Sequence, residues 1–319
     1  MSGMTGERPQ ASPRAQGTST STSTSTSAST SASTSTSGWF TIPSPFARLF
    51  KKFPLLTYPP NELPARSPAA RDVPTLYVFI SDEDALNGLP SFNPSCLKWQ
   101  TFLRLVGVDF CVRSSNNHAS PTGALPFLLP ASASSNPRPQ RPIPSNKLEQ
   151  YGLDKGKFKP PGDLGPRQEA YESLLDHRIR NAWLYTLYLS PANADLLNHL
   201  YIAPATSSWP VRAAMANQLR YAAELEILRS TGRDAIDPTA LYREAKEAFA
   251  ALETVLGNNH WFFGAEIAGL FDATVFSYTY LILHDGLAWE NRRLNQILNE
   301  FPRLVRHRDR IYQHCWESQ

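Results

Sequence analysis

The stretch that decides the fold is SFNPSCLKW (Ser91–Trp99), which follows the apolar run TLYVFI at Thr75–Ile80. The run is rich in β-branched and aromatic residues and predicts a buried strand. Asn93 is a strong N-cap and Pro94 fits the first helical position, so a helix is predicted over Pro94–Val106. A strand, a short loop and a helix in this order indicate the start of an α/β unit.

The sequence NPSC has two interpretations. An X-Pro-X-Cys sequence at a helix start is where thioredoxin-like domains keep a redox dithiol, and here Asn93 stands in place of the first cysteine. In the structural interpretation Cys96, Trp99, Leu103 and Val106 share one helix face, and Cys96 is a small buried hydrophobe. In the functional one, the helix N-terminus favours a reactive Cys96 thiolate that lacks a resolving partner.

Two more strands are predicted, at Val108–Ser114 and Gly123–Leu129, and Ser145 caps a predicted short helix through Gln150. From Arg167 onward only helical patterns occur. The predicted helices span Arg167–Leu189, Val211–Ser230, Pro238–Leu256, Asp272–Leu283, Asn291–Asn299 and Pro302–Trp316. The predicted fold class is therefore α/β plus all-α, with one domain over 73–150 and an all-helical domain over 165–319.

Composition argues against several functions. The net charge is only +3 and Lys and Arg are spread out, so no nucleic-acid partner is predicted. Three cysteines, Cys96, Cys111 and Cys315, suit a reducing compartment better than a secreted disulfide scaffold. Neither metal-binding nor nucleotide-binding motifs occur, and no cofactor is predicted. The apolar run Ala273–Leu283 is shorter than the roughly 20 residues that span a bilayer, which favours a buried helix.

The first 38 residues lack the apolar core of a signal peptide and are largely Ser and Thr, so they predict a disordered tail. A transit peptide is the alternative, but only Arg8 and Arg14 supply its basic residues. Residues 39–72 form a Pro-rich lead-in with a basic amphipathic stretch. This stretch is predicted to contact a membrane or a partner's groove, or else to pack on its own domain. Its candidate binding residues are Phe46, Leu49, Phe50, Lys51, Lys52 and Phe53.

The last predicted helix has two sides. Its apolar side consists of Phe301, Leu304, Ile311 and Cys315, and its basic side consists of Arg303, Arg306, His307 and Arg310. A solvated face is one interpretation. Contact with anionic lipid headgroups is the other, where each cation contributes about 1 kcal/mol. Arg303, Arg306 and Arg310 are therefore candidate membrane- or partner-binding residues.

An α/β module with a Pro turn, followed by an all-helical module, resembles the glutathione transferase fold and, within it, the metaxin family. The similarity lies in FNPSCLKWQTFLRLVGVDF and SPTGALPFLL in the first half, and in LLNHLYIAP, HWFFGAEIAGLFDATVFSY and FPRLVRHRDRIYQHCW in the second. It covers residues 73–319. The resemblance implies a thioredoxin-like domain over 73–150 and a glutathione transferase C-terminal-like domain over 165–319.

The sequence departs from the transferase pattern at the groups that handle glutathione. Asn93 stands at the catalytic Ser, Tyr or Cys position, and Pro144-Ser145 replaces the acidic-plus-Ser pair that holds the γ-glutamyl end. The capping box of the core helix keeps Asp272, which we expect to bond to the backbone at the helix start, while Gly269 replaces its Ser or Thr. The resemblance thus implies a retained fold without glutathione chemistry.

Through PFARLFKKFPLLTYP and IYQHCWE, the resemblance extends to a subunit of the fungal mitochondrial sorting and assembly machinery. It implies a non-enzymatic peripheral protein on the cytosolic face of the mitochondrial outer membrane that helps to recognise the β-signal. The implied partners are the barrel-forming insertase subunit, a second metaxin-like subunit, β-barrel precursor proteins and the membrane surface. The alternative is a glutathione transferase-like thiol enzyme that uses Cys96 or Ser95.

A β-signal is an extended, amphipathic strand, and a receptor can pair with it as an added strand at a sheet edge. The predicted sheet near Pro126 offers such an edge. Leu125, Pro126 and Phe127 are therefore the candidate peptide-binding residues. The Leu125–Pro126 bond is a candidate cis peptide, and an ordinary strand-entry proline is the alternative.

Overall fold

The structure is a computed structural model that describes residues 72–131, 141–160 and 165–317. The predicted tail over 1–38 and the lead-in over 39–71 lie outside the described residues. The predictions for Phe46, Leu49, Phe50, Lys51, Lys52 and Phe53 therefore stay predictions.

The first half of the described chain is a small mixed sheet with a helix packed on it. The strands are β1 (Thr75–Val78), β2 (Cys111–Ser114), β3 (Phe127–Leu129) and β4 (Ile143–Pro144). They are ordered β2-β1-β3-β4 across the sheet. β1 is parallel to β2 and antiparallel to β3, and β3 is antiparallel to β4. The three predicted strands exist and are shorter than predicted, because only the first four residues of the first, the last four of the second and the last three of the third pair with a neighbour.

Helix α2 (Pro94–Leu105) begins where the sequence predicts. The Oδ1 of Asn93 accepts from the backbone N–H of Cys96 at 3.2 Å, and Pro94 is in the first turn. The helix face of Cys96, Trp99 and Leu103 is buried, which confirms the structural interpretation of the spacing. The sequence did not predict the short helix α1 (Asp82–Leu86), which Ser81 caps by accepting from the N–H of Asp84.

The second half of the chain is helical. Its α-helices, numbered on from α3 (Leu148–Lys155), are α4 (Pro166–Leu174), α5 (Arg180–Leu184), α6 (Ala194–Leu197), α7 (Trp209–Thr231), α8 (Pro238–Leu256), α9 (Leu270–Leu283), α10 (Arg293–Asn299) and α11 (Pro302–Tyr312). One-turn π segments follow α4, α5, α6 and α11 at Leu175–Ile179, Tyr185–Leu189, Asn198–Ile202 and Gln313–Glu317. All six predicted helices are present. The sequence did not predict α6 or the π turns.

Helix α9 is the centre of the fold. Every residue from Phe271 to Leu283 is buried, as the apolar run predicted, and α9 packs extensively against α2. The backbone N–H of Gly269 donates to Asp272 Oδ2 at 3.0 Å, which confirms the predicted capping contact. Because α2 and α9 share one apolar core, the sheet and the helices form one packed body over the described residues.

The C-terminal turn also ties the helices to the sheet side. Arg104 on α2 donates to the backbone carbonyl oxygens of Cys315 at 2.6 Å and Gly88 at 2.9 Å. Its guanidinium lies 4.9 Å from the ring centroid of Trp316, whose Nε1 also donates to Gly88 at 3.1 Å. Trp316 stacks on Tyr312 and on Phe276 of α9. We call this group the C-terminal clasp.

Candidate functional site

The candidate site is the N-terminus of α2, where the sequence places Asn93, Ser95 and Cys96. The Asn93 side chain is used twice. Its Oδ1 caps the helix at Cys96, and its Nδ2 donates to the hydroxyl of Tyr201 at 3.0 Å. Tyr201 lies on the π turn after α6, so this bond joins the sheet half to the helical half. Both polar groups of this side chain are thus engaged within the fold, and a carboxamide carries no nucleophilic hydroxyl or thiol.

Aromatic rings fill the space beside Asn93. We call Phe79, Phe92, Tyr188 and Tyr201 the aromatic cluster. Tyr201 lies edge-on to Phe79 and Phe92, with ring centroids 5.4 and 5.3 Å apart, and its centroid is 6.0 Å from that of Tyr188. Burial raises the pKa of the Tyr201 hydroxyl well above its usual value, so it stays protonated. The cluster occupies the junction of the two halves next to the helix start.

Buried hydrogen bonds fix the loop that leads into α2. Gln100 accepts from the N–H of Ser91 at 2.9 Å and donates to the carbonyl oxygen of Leu89 at 2.8 Å. The Ser91 hydroxyl donates to the carbonyl oxygen of Phe79 at 2.6 Å and accepts from the N–H of Asn93 at 3.2 Å. These bonds satisfy buried polar groups and hold residue 93 in the extended conformation that an N-cap needs.

The two possible nucleophiles differ in exposure. Cys96 is completely buried, and this burial raises the pKa of its thiol to about 12, although contacts with Phe79 and Ser91 act in the opposite direction. The helix N-terminus therefore does not produce a thiolate at neutral pH, because desolvation is the larger effect. Ser95 is exposed, and its hydroxyl forms no hydrogen bond to a histidine or carboxylate within the described residues.

The Leu125–Pro126 peptide bond is cis, as the sequence suggested. Leu125, Pro126 and Phe127 are buried, and β3 is an interior strand between β1 and β4. The backbone N–H of Leu125 donates to Asn117 Oδ1 at 3.0 Å. The backbone donor beside the cis proline is therefore already occupied by a side chain of the same chain.

The groups that would hold glutathione do not fit it. Pro144 forms part of β4 and has no N–H or side-chain donor, and Ser145 begins a short 3-10 turn. Asn93 is bound to Cys96 and Tyr201, and Leu125 is bound to Asn117. Pro144 therefore supplies no carboxylate for the ammonium of a γ-glutamyl group, and the Asn93 carboxamide and the Leu125 N–H are already hydrogen-bonded within the chain.

His307 contradicts its assignment to the basic side of the last helix. It is completely buried, and its Nε2 donates to Asp272 Oδ1 at 2.9 Å. The same oxygen accepts from the backbone N–H of Phe262 at 3.0 Å. The helical period assigned this histidine to the solvent side, but the carboxylate that caps α9 draws it into the core.

The apolar side of the last helix is buried as predicted, at Phe301, Leu304, Ile311 and Cys315. Arg303 and Arg306 are exposed, whereas Arg310 is half-buried. Arg310 donates to the carbonyl oxygen of His260 at 2.8 Å and lies over the ring of Trp261. Arg303 and Arg306 therefore have side chains available to a partner, and Arg310 is held by its own domain.

A cavity of about 490 Å³ lies beside the aromatic cluster and is lined by Phe92 and Leu200, among others. Its charged lining residues are Asp84, Asp195 and Glu290, together with the histidines His199 and His284. Burial lowers the pKa of His284, so the ring is neutral near pH 7 and the carboxylates dominate. This lining favours a cationic group.

A second cavity of about 380 Å³ is lined by Lys98 and Phe102 of α2 and also has acidic residues at its surface. Neither cavity is lined by Asn93, Ser95 or Cys96.

Within residues 72–131, 141–160 and 165–317, no group of three or more His, Cys, Asp or Glu side chains is placed to hold a metal ion. In the same part of the chain, no helix has both the length and the apolarity to cross a bilayer.

Family profiles match both halves of the chain. Residues 94–193 match the profile described as glutathione S-transferase N-terminal domain, and residues 245–311 match the glutathione S-transferase C-terminal domain. With the mixed sheet, the cis proline and the helical second half, these matches define a glutathione transferase-like fold. The predicted fold class is therefore confirmed.

The curated relatives are metaxins. The chain is 30% identical to metaxin-1 of Homo sapiens over 210 residues, which cover 63% of this chain and 43% of that protein. It is 28% identical to metaxin-1 of Mus musculus (63% of each chain) and 26% identical to metaxin-3 of Xenopus laevis (60% and 62%). The match spans less than two thirds of the length of each of these relatives. The predicted resemblance to metaxins is confirmed at this level.

Solved structures similar to this chain include the beta-etherase LigF from Sphingobium sp. strain SYK-6, at 15% identity and a TM-score of 0.45, covering 77% of this chain and all of that one. A glutathione transferase from Phanerochaete chrysosporium is 11% identical with a TM-score of 0.43, covering 73% and 97%.

Sequence reasoning singled out Asn93 and missed its partners. Tyr201 lies inside the quoted block LLNHLYIAP, but nothing local marks it as the partner of a residue 108 positions away. Asn117, which accepts from the N–H of Leu125, is part of a Ser/Asn-rich loop. In such a loop the sequence does not distinguish an Asn that bonds to the backbone from one that faces solvent. Local sequence patterns cannot predict these hydrogen bonds, because the bonded residues are not adjacent in the chain.

Proposed function

We propose that this chain is a non-enzymatic peripheral subunit of the machinery that inserts β-barrel proteins into the mitochondrial outer membrane. It acts on the cytosolic side, binds the barrel-forming insertase subunit, lies beside a second metaxin-like subunit and helps to recognise the β-signal of precursors. Its similarity to metaxins supports the location. Its site geometry supports the absence of catalysis.

One observation carries this proposal. At the place where a transferase holds its catalytic residue, Asn93 caps α2 and bonds to Tyr201, and the neighbouring thiol of Cys96 is buried in protonated form. A carboxamide is not a nucleophile, and a buried protonated thiol is a poor one. A chain of this kind acts through the surfaces with which it binds other molecules.

Two surfaces are available for partners. The basic residues Arg303 and Arg306 extend from α11 and suit an acidic protein surface or lipid headgroups. Strand addition by a precursor requires a free sheet edge, which β2 and β4 provide in the described sheet. Leu125, Pro126 and Phe127 lie directly inside β4, because Phe127 pairs with Pro144. We propose that they support this edge rather than contact the precursor through their own side chains.

Affinity purification tests the proposal. A tagged full-length chain is expressed in fungal cells, mitochondria are solubilised in mild detergent, and the bound proteins are identified by mass spectrometry. We expect the barrel-forming subunit and a second metaxin-like subunit in stoichiometric amounts. A matched purification of Arg303→Gln/Arg306→Gln reports whether α11 contributes. Recovery of the chain alone, with no membrane complex, would overturn the proposal.

The alternative is a thiol enzyme that uses Cys96 or Ser95. The exposure of Ser95 is the one observation in its favour. Its hydroxyl is not hydrogen-bonded to a base among the described residues, and Cys96 is inaccessible and protonated. A hydroxyl without a general base is a weak nucleophile. We therefore place this function second.

A further inference from the structure

The cavity of about 490 Å³ beside the aromatic cluster has apolar walls from both halves of the fold. Phe92 comes from the loop before α2, Leu200 from the π turn after α6, and Leu287 from the loop after α9. The volume lies within the range of about 300–1,000 Å³ that is usual for ligand pockets. The cavity is therefore large enough to take apolar side chains of a bound molecule.

Three carboxylates line the same cavity, and each comes from a different element. Asp84 lies on α1, Asp195 on α6 and Glu290 in the loop before α10. Asp84 is half-buried, whereas Asp195 and Glu290 are exposed. None of the three forms an ion pair within the described residues. In the same part of the chain, no Lys or Arg lines the cavity. We call this cavity the acidic groove.

The arginines in the neighbourhood of the acidic groove are already paired. The pKa of the lining residue His284 is lowered mainly by burial and further by Arg308, which indicates that this arginine lies near the groove. The Nε of Arg308, however, is 2.9 Å from an oxygen of Asp309. Arg292 is likewise 3.7 Å from an oxygen of Asp285. The three lining carboxylates are therefore not neutralised by the chain itself.

Buried hydrogen bonds fix the backbone that carries two of these carboxylates. The Oδ1 of Asn193 accepts from the backbone N–H groups of Glu290 and Asn291, both at 3.1 Å. Its Nδ2 donates to the carbonyl oxygen of Thr186 at 2.8 Å. Asn193 is only 1% exposed, and Asp195 follows it on α6. Because these segments are held together in advance, a ligand would not have to order them on binding.

We propose that the acidic groove docks a basic, amphipathic segment of a protein partner. An apolar side chain of that segment enters the cavity, and its Lys or Arg side chains pair with Asp84, Asp195 and Glu290. An apolar anchor in a pocket supplies binding energy, while complementary charges provide specificity and favour association. The inference deepens the proposed function and rests on it, because it states the chemistry of one partner.

The arrangement favours such a segment over other occupants. A simple amine has one charge and can pair with one carboxylate at a time. A polyamine has several charges but no apolar side chain for the cavity. An anionic lipid surface would meet carboxylates of its own sign. A basic, amphipathic peptide provides both several cations and an apolar anchor, which together match the groove.

Fluorescence anisotropy tests the charges. The purified full-length chain is titrated at low salt against a labelled, glycine-spaced peptide of Lys and Leu. Asp195→Asn/Glu290→Gln should weaken binding roughly ten-fold, which corresponds to about 1.4 kcal/mol for two exposed ion pairs. The control Glu224→Gln/Asp234→Asn removes the same charge from exposed carboxylates that do not line the groove. It should change the affinity by less than about two-fold, because distant charges are screened.

A second variant tests entry into the groove. Ala192 is exposed and lines the cavity, so Ala192→Trp should fill it while all three carboxylates remain. We expect this variant to lose most of the peptide binding. The matched change Ala235→Trp, at another exposed alanine, should retain it. Spermidine at the concentration of the peptide should not displace the peptide from the native chain.

Four outcomes would overturn the inference. They are equal losses in the two double variants, full binding by Ala192→Trp, displacement of the peptide by equimolar spermidine, and a dimer in light scattering that Ala192→Trp dissociates. The last would identify a second copy of the chain as the occupant. The peptide assay uses the isolated chain. If it fails while the chain still co-purifies with the membrane complex, the groove inference fails and the proposed function stands.

Discussion

Asn93 joins three parts of the molecule through its side chain and its backbone N–H. Its oxygen binds the start of α2, its nitrogen binds Tyr201 on the helical side, and its backbone N–H donates to Ser91 in the preceding loop. Serine, tyrosine or cysteine at this place would have one polar atom to offer. The carboxamide has both a hydrogen-bond donor and an acceptor, and both form bonds within the fold.

Replacement of Asn93 separates its two contacts. Asn93→Ser keeps a cap and loses the bond to Tyr201, which should cost about 1 kcal/mol of unfolding free energy. Asn93→Ala loses the cap as well, which should add about 1 kcal/mol. Urea unfolding followed by circular dichroism measures both, with Tyr201→Phe as the matched change on the other side of the bond. Equal stabilities of Asn93→Ser and the native chain would contradict the contact.

The buried thiol of Cys96 predicts a pH dependence of stability. The pKa of the thiol rises from 9.0 to about 12 because of burial. Unfolding lowers that pKa, so between pH 9 and about 12 the unfolded chain loses a proton that the folded chain keeps, and stability falls as pH rises. Cys96→Ala should show a smaller fall between pH 8 and 10.5 in urea midpoints. An identical pH profile in the two proteins would contradict this explanation.

The buried carboxylate of Asp272 accepts three hydrogen bonds, from the N–H groups of Gly269 and Phe262 and from His307. Asp272→Ala leaves all three donors without a partner and should destabilise the chain by about 3–5 kcal/mol. Asp309→Ala removes a half-buried carboxylate of α11 that pairs with Arg308 at 2.9 Å, and it should change stability by less than about 1 kcal/mol. Thermal unfolding measures the difference. Similar midpoints for the two variants would show that the buried network contributes little.

At the scale of elements, residues next to each other in the chain made α2 and α8 predictable. Asn93 and Pro94 mark the start of α2, and Pro238 and Gly257 mark both ends of α8. The predicted strands are too long, because the ends of a strand depend on pairing with residues distant in sequence. The π turns after α4 and α5 add a residue to a turn without a Gly or Pro signal. His307 was misplaced because its partner Asp272 is 35 residues away.

The C-terminal clasp predicts that the last turn of the chain loosens when Trp316 is replaced. Trp316→Ala should cost about 2–4 kcal/mol, because it removes a half-buried ring, its bond to Gly88 and its contact with Arg104. Trp316→Phe keeps the stacking and should cost about 1 kcal/mol. Limited proteolysis and urea unfolding check this. Cleavage of the native chain near residue 313 as rapid as in Trp316→Ala would mean that the clasp does not hold this end.

At the scale of the whole molecule, the fold class and the resemblance to metaxins can be predicted from the sequence. The hydrogen bonds that occupy the candidate site cannot. Alternating strand and helix, followed by helices only, is enough to predict a transferase-like chain. Those bonds are made by Tyr201 to Asn93 and by Asn117 to Leu125, and neither pair is adjacent in sequence. A local pattern identifies the missing nucleophile, while only the three-dimensional arrangement reveals what occupies its place.

The central claim is that residue 93 and its surroundings hold the fold together and perform no thiol chemistry. The most direct test is turnover of a glutathione-dependent thiol-transfer substrate by the purified full-length chain, next to Cys96→Ala and Ser95→Ala. We predict rates equal to the protein-free reaction for all three proteins, and no retention on immobilised glutathione. Turnover by the native chain that either substitution abolishes would contradict the claim.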